Sequence, residues 1–370
     1  MKELQDLGVS DVTFDKNGFL IAKLPFKEQP AQGLPAIGFM AHLDTSPDVS
    51  GKNVNPQILE EYDGKIIKLQ NGVQIDPEKQ ETLLQYRGET IITGDGTTLL
   101  GADDKAGIAE IMTAVEYMMR EDHPPKIPVE IIFTPDEEIG TGMDHFPYNK
   151  TKALCFYTID GGGEGTVEAE CFNAYKSIVQ FTGNVIHLGV ARGELVNAVS
   201  MAAEFVRMLP RSESPEAADD GFGYYCPVEI KGDLASAQAE ILLRDFSSEE
   251  MRRRIDSLEK IGKAVEALHP GGEVQINTVK QYLNMKNSMD KVPEIMSFLL
   301  EAIRTTGIEP ELRRIRGGTD GARLAERGIP SPNFFTGGHN FHSVAEWIAL
   351  PAMIRTVKVI GEIIRLWSGK

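Results

Sequence analysis

Three short apolar runs constrain this chain more than any other feature, because each leads into residues that hold protons or cations. Ala36–Ala41 runs into His42-Leu43-Asp44, Val129–Thr134 into Asp136-Glu137-Glu138, and Leu154–Ile159 into Asp160. Continuous apolar runs of this length read as strands buried on both faces. Between the first two, Lys105–Met119 sets Ile108, Met112, Val115 and Met119 along one side at helical spacing. Strand–helix–strand alternation predicts an α/β fold with a largely parallel sheet covered by helices. In an open sheet of that kind, ligands gather at the carboxyl ends of the strands. The three runs therefore aim an imidazole and several carboxylates at one edge.

A further acid pair, Asp103-Asp104, lies in the Gly101–Gly107 turn that opens the helical stretch. Glycine lets the backbone turn sharply there, and helix N–H groups favour negative charge. So many anions at one edge raise one another's pKa and cost stability unless cations join them. Two divalent cations about 3.5–4 Å apart, sharing a water and a bridging carboxylate, resolve that cost and create a hydrolytic site. Asp44, two residues after His42, can orient the His42 ring. Glu137 adjoins a candidate ligand without needing to be one, so it can move a proton. The remaining histidines His123, His145, His269 and His339 read as structural.

Net charge of -17 argues against nucleic acid, whose phosphates need a basic face. Cys155, Cys171 and Cys226 are odd in number and form no CxxC pair, which excludes a disulfide frame and a thiolate zinc knuckle. The opening MKELQDLGVSDVTFD has no signal pattern, and no apolar run approaches the ~20 residues of a membrane span. The expectation is a cytoplasmic protein with reduced thiols and no membrane partner.

At 370 residues the chain is long enough for two domains. Beyond Cys171 the pattern becomes strand Tyr175–Phe181, helix Glu194–Met208, strands Tyr225–Lys231 and Ser236–Phe246, helix Ser248–Leu268 and strand Glu273–Tyr282. That βαββαβ order predicts a ferredoxin-like unit. Ser247 and Glu250 read as a capping box for its long helix. Helix Pro293–Thr305, strands Leu312–Ile315 and Asn333–Phe335, and helix Leu350–Trp367 then return to the first pattern. The expected arrangement is a catalytic domain over 1–171 and 285–370, interrupted by an inserted domain over 172–284.

The segments HLDTSPDVSGKNVNPQI, TLLGADDKAGIAEI, FTPDEEIG, YTIDGGG, LLRDF and IRGGTDGARL, in that order, closely resemble the di-zinc exopeptidases, a family that includes aminopeptidases, dipeptidases, aminoacylases and succinyl-diaminopimelate hydrolases. The resemblance spans essentially the whole chain and is strongest to the family's tripeptide-cleaving branch. It implies a phosphorylase/hydrolase-like zinc-peptidase catalytic domain with an inserted ferredoxin-like α+β lid domain. It also implies release of the N-terminal residue of tripeptides. His42 and Asp160 match ligands of one zinc, Glu138 and His342 ligands of the other, and Asp103 the bridging carboxylate. Asp44 matches the residue that orients His42, and Glu137 the general base. His187 matches a histidine of the insert that stabilises the tetrahedral oxyanion. Arg244 and Arg316 match arginines that hold the substrate's C-terminal carboxylate, a task suited to a planar two-pronged donor. Asn197 matches a substrate contact nearby. The implied cofactors are two zinc ions per subunit, with cobalt or manganese also suiting His and carboxylate donors. The implied partners are a small peptide and a second copy docked through the lid.

Three departures stand out. The family's tripeptidase branch reads HPG where this chain reads His187-Leu188-Gly189, and HGxxEF where it reads His342-Ser343-Val344-Ala345-Glu346-Trp347. Relatives also carry a helix and loop ahead of the segment matching Leu4–Gly8. The expectation there is an upstream start codon or a less stable form. Two rival functions share the scaffold: a dipeptidase or N-acyl amino acid amidohydrolase, and a non-catalytic binding protein. Glu137 argues against the last, because binding alone needs no base.

Overall fold

The computed structural model describes residues 1–26, 34–120 and 124–369; His123 lies outside them. The chain divides into a larger unit, Met1–Ala169 with Met285–Arg313 and Thr319–Lys370, and a smaller one, Glu170–Asn284 with Arg314–Gly318.

An eight-stranded sheet organises the larger unit. Its spatial order is Asp11–Phe14, Leu20–Lys23, Val129–Thr134, Ala36–His42, Ala153–Gly161, Asn333–Phe335, Thr166–Cys171 and Glu311–Ile315. The four strands from Val129–Thr134 to Asn333–Phe335 pair in parallel. Leu20–Lys23 and Thr166–Cys171 flank them antiparallel, so the sheet is mixed rather than largely parallel. Side chains alternate between faces, and both faces are covered. Phe39 stacks on Tyr157 at 5.7 Å, and Tyr157 Oη accepts a hydrogen bond from Trp367 on the closing helix Leu350–Ser368. On the other face Met40, Ile132 and Phe156 pack with Phe19, Phe146 and Leu324. Gly38 makes room there: a Cβ on it would lie 2.1 Å from the Phe156 ring. Burying one such aromatic side chain contributes about 1.5–3 kcal/mol.

Helix Ala102–Arg120 packs on strands Ala36–His42 and Ala153–Gly161. Gly107 permits the approach, since a Cβ would meet the Ile159 carbonyl at 2.0 Å. Beside the main sheet lies a four-stranded antiparallel one, ordered Gly338–His339, Trp347–Ala349, Ile91–Thr93 and Gln57–Leu59. No sequence pattern announced these strands of two or three residues. His339 stacks on Trp347 with ring centroids 4.1 Å apart, a packing role.

The smaller unit holds a four-stranded antiparallel sheet, ordered Tyr224–Gly232, Ser236–Asp245, Asn173–Thr182 and Glu273–Tyr282. In chain order that is 2-3-1-4, the ferredoxin-like arrangement. Helices Ala198–Met208 and Ser248–Leu268 bury Phe205, Met201, Leu258 and Val265 against Phe181, Val179, Ile241 and Leu243. Two local expectations change. The first helix starts at Ala198, not Glu194, because Asn197 Oδ1 accepts the Val199 and Ser200 N–H groups and fixes the start. Ser247 caps the second helix, but the box does not close: the Ser247 N–H donates to Asp245 Oδ1, while Glu250 pairs with Arg253. Residues Arg314–Gly318 group with this unit because Arg314 pairs with Glu170 and Arg316 bonds its loop. No disulfide joins Cys155, Cys171 or Cys226, and no described helix is long and apolar enough to cross a membrane.

Candidate metal centre

Every strand end singled out by the sequence delivers its residue to one place in the larger unit. His42, the last residue of its strand, puts Nε2 2.8 Å from Asp103 Oδ1 and 3.5 Å from Asp160 Oδ1. His342 puts Nε2 3.2 Å from Asp103 Oδ2 and 3.0 Å from Glu138 Oε2. Two triads result, His42–Asp103–Asp160 and Asp103–Glu138–His342, each with its ligand atoms within 4.8 Å of one another. Asp103 belongs to both, one oxygen facing each histidine.

The donor set fits a pair of dications. Two donors bound about 2.0 Å from a tetrahedral zinc ion stand about 3.3 Å apart, the spacing found between these imidazole and carboxylate atoms. Glu138 Oε1 is buried without a hydrogen-bond partner, an acceptor whose natural complement is a cation. The two triads differ in exposure: the His42 side chain is 2% exposed and that of His342 41%.

The electrostatics say the same. Burial pushes Asp160 up to about 7, against the pull of His42. Burial lifts Glu137 well above the usual carboxylate range, with Asp160 and Asp320 adding to it. Glu138 is raised by burial and then by Asp103. For His42, burial pulls down, but Asp160 and Asp103 outweigh it and the imidazole is raised. Anions crowded out of water seek protons, and dications reverse that pattern.

The supporting contacts run through backbone. Asp44 lies 3.4 Å from His42 Nδ1 and accepts the N–H groups of Glu137 at 3.1 Å and Glu138 at 3.0 Å. One carboxylate thus holds the loop after strand Val129–Thr134, where Asp136 takes a left-handed φ of 56°. Burial raises the Asp44 carboxyl, but His42 first, and then the Glu138 and Glu137 N–H groups, outweigh it and lower it. Asp104 accepts the His42 and Gly107 N–H groups at 3.0 and 3.2 Å, tying the strand end to the helix. The sequence reading gave no role to Asp104, to Asp48, 3.3 Å from His342 Nδ1, or to Asp320, which accepts from Thr134 Oγ1. Asp48 had a signal, since it follows Asp44 in the same loop. Asp320 had none that spacing could reveal.

His187, Asn197, Arg244 and Arg316 belong to the smaller unit. His187 Nδ1 accepts the Gly189 N–H at 3.1 Å, which leaves the proton of a neutral ring on Nε2. The ring is thus oriented by its own backbone in a loop without the family's proline. Asn197 spends its side-chain oxygen on the helix cap. Arg244 Nη1 donates to the carbonyls of Leu243 at 2.9 Å and Tyr175 at 3.3 Å. Arg316 donates from Nη1 to Asp220 and Phe222 carbonyls and from Nη2 to Ala218, with its guanidinium over Phe172 and Tyr224. The family assignment gave no sign that Arg316 also braces this polar loop.

The chain belongs to peptidase family M20/M25/M40, whose pattern matches residues 79–366, and it is a hydrolase. Peptidase T of Listeria welshimeri is 42% identical over 370 residues, covering 100% of this chain and 90% of that protein. Among solved structures, aminopeptidase PepT of Bacillus cereus superposes with a TM-score of 0.79 at 23% identity, covering 100% of this chain and 91% of that one. A tripeptidase of Staphylococcus aureus gives 0.78 at 19% identity, with the same coverage of 100% and 91%. At those identities the two structures speak for the fold.

Proposed function

We propose that this protein is a metal-dependent tripeptide aminopeptidase that holds two zinc ions. The observation that carries the reading is the pair of histidine–carboxylate triads sharing Asp103, with the half-buried Glu137 carboxyl alongside. The likeness to Peptidase T over the full chain supports the substrate class.

In this reading His42, Asp103 and Asp160 would hold one ion and Asp103, Glu138 and His342 the other. When bound, the ions would supply Lewis acidity that polarises the scissile carbonyl and eases deprotonation of a water. Glu137 takes the proton from that water as its oxygen attacks the carbonyl carbon. It then gives the proton to the departing nitrogen as the C–N bond breaks. Asp44 keeps the Glu137–Glu138 backbone in place and faces His42 Nδ1, so it positions a base and two ligands together. In the smaller unit, His187 Nε2 is the donor for the developing oxyanion. Arg244 and Arg316 pair with the terminal carboxylate, and Asn197 is a lesser contact.

Metal content measured beside turnover of di-, tri-, tetra- and N-acylated peptides tests the reading. The expected result is close to two ions per chain and preferred release of the first residue of tripeptides. Preference for N-acylated substrates would replace it with the amidohydrolase alternative.

A further inference from the structure

Glu346 lies four residues after His342, in the segment entering strand Trp347–Ala349, and is 1% exposed. A carboxylate so deeply buried needs strong partners, and it has three, all backbone amides from a distant part of the chain. Oε2 accepts the N–H groups of Leu100 at 2.7 Å and Gly101 at 2.8 Å, and Oε1 that of Asp103 at 3.1 Å. Its own carbonyl accepts Thr93 Oγ1 at 2.7 Å, within the pairing of Ile91–Thr93 with Trp347–Ala349. The side chain therefore fastens the loop that carries Asp103, and the carbonyl fastens strand Ile91–Thr93, to the strand that follows His342.

We propose that Glu346 is the positioning residue for the shared carboxylate Asp103, a role that rests on the metal-centre reading above. Asp103 must present one oxygen to each triad, so a small rotation of its backbone misplaces both oxygens at once. Its N–H is held by Glu346 Oε1, and the turn before it by Oε2. Hydrogen bonds to an ionised acceptor are short and directional, which suits them to fixing a ligand's backbone. Glutamine cannot replace this arrangement. Its carboxamide has one acceptor oxygen, and its NH2 would face an N–H group. A residue that only steadied the His342 loop would affect one triad; Glu346, acting through Asp103, affects both.

The test uses the full-length protein loaded with Co2+, whose visible absorption reports ligand geometry, beside Zn2+ competition titrations. Glu346→Gln is expected to weaken both ions by about 10–100-fold, the usual effect of losing an outer partner of a ligand. It should also change the Co2+ spectrum and lower kcat with little change in KM. His342→Asn, as a comparison, should weaken one ion far more than the other. Unchanged affinities and spectrum in Glu346→Gln, or loss confined to one ion, would overturn the proposal. Wild-type protein binding fewer than two ions would instead overturn the metal-centre reading. Should the variant fail to fold, hydrogen exchange on the unaltered protein decides. The Leu100, Gly101 and Asp103 amides should be protected with and without metal, and rapid exchange at Asp103 would refute the contact.

Discussion

Replacing Asp44 with asparagine isolates the carboxylate that joins the Glu137–Glu138 backbone to the His42 imidazole. Asp44 accepts two N–H groups, from Glu137 at 3.1 Å and Glu138 at 3.0 Å, one on each oxygen. Asparagine keeps one acceptor and turns the other into a donor pointed at an N–H. Losing a hydrogen bond to a charged acceptor costs about 1.5–3 kcal/mol. In a unit of this size that lowers Tm by roughly 3–12 °C. The sign of the pH dependence follows from the lowered Asp44 carboxyl. A depressed acid stabilises the fold above its unfolded value of 3.8 and loses that contribution as pH falls through its folded value. The gap between wild type and Asp44→Asn should therefore be full at neutral pH and close under strong acid. Calorimetry of the metal-free proteins reads the gap. Metal titration should show a further loss of about 10–100-fold in affinity. Equal melting points at pH 7 together with equal metal affinity would refute the claim that Asp44 holds the Glu137–Glu138 loop.

Glu137→Gln should abolish tripeptide turnover while leaving metal stoichiometry near wild type; an unchanged rate removes Glu137 from the mechanism. In metal-stripped protein, Asp160, raised to about 7, stabilises the fold fully below its unfolded 3.8, and that contribution is lost as pH rises through about 7. The raised His42 acts in the same direction. Stripped protein should thus melt lower at pH 8 than at pH 5.5, with Zn2+ closing the difference; a flat profile would count against the crowding argument. Gly107→Ala places a Cβ 2.0 Å from the Ile159 carbonyl and 2.5 Å from Asp104 Oδ1, so the helix must lift from the strand that ends near Asp160. Overpacking of this kind costs about 1–3 kcal/mol, and metal affinity should fall with it; unaltered melting and affinity would mean the helix is seated otherwise.

Strands covered on both faces are legible because most of their residues are apolar in one continuous run. Val129–Thr134 and Asn333–Phe335 occupy the residues their apolar runs mark, and Ser248–Leu268 and Pro293–Thr305 those their helical periodicity marks. Pattern did not mark the strands Gln57–Leu59, Ile91–Thr93 and Trp347–Ala349 of the second sheet. It fails again where a side chain overrides the pattern, as Asn197 does in stopping a helix that the residues before it could have extended. The antiparallel flanks of the main sheet escaped for a related reason, since an apolar run records burial but not the direction of its neighbour.

The centre itself divides along the same line. His42, Glu138 and Asp160 are visible because strands end at or just before them, and a strand end in a parallel sheet has a known location. Asp103 and His342 are not on strand ends, and periodicity alone does not bring them to the others. Asp103 is delivered by a turn whose N–H groups are held by Glu346, some 240 residues away in sequence. His342 adopts a left-handed φ of 59°, a conformation that a non-glycine residue holds only where its surroundings impose it. Local sequence therefore locates the half of the centre built on strand ends, and long-range hydrogen bonds to loop backbone assemble the half that closes it. Those bonds are the reason a carboxylate from a turn and an imidazole from a loop can meet within 3.2 Å.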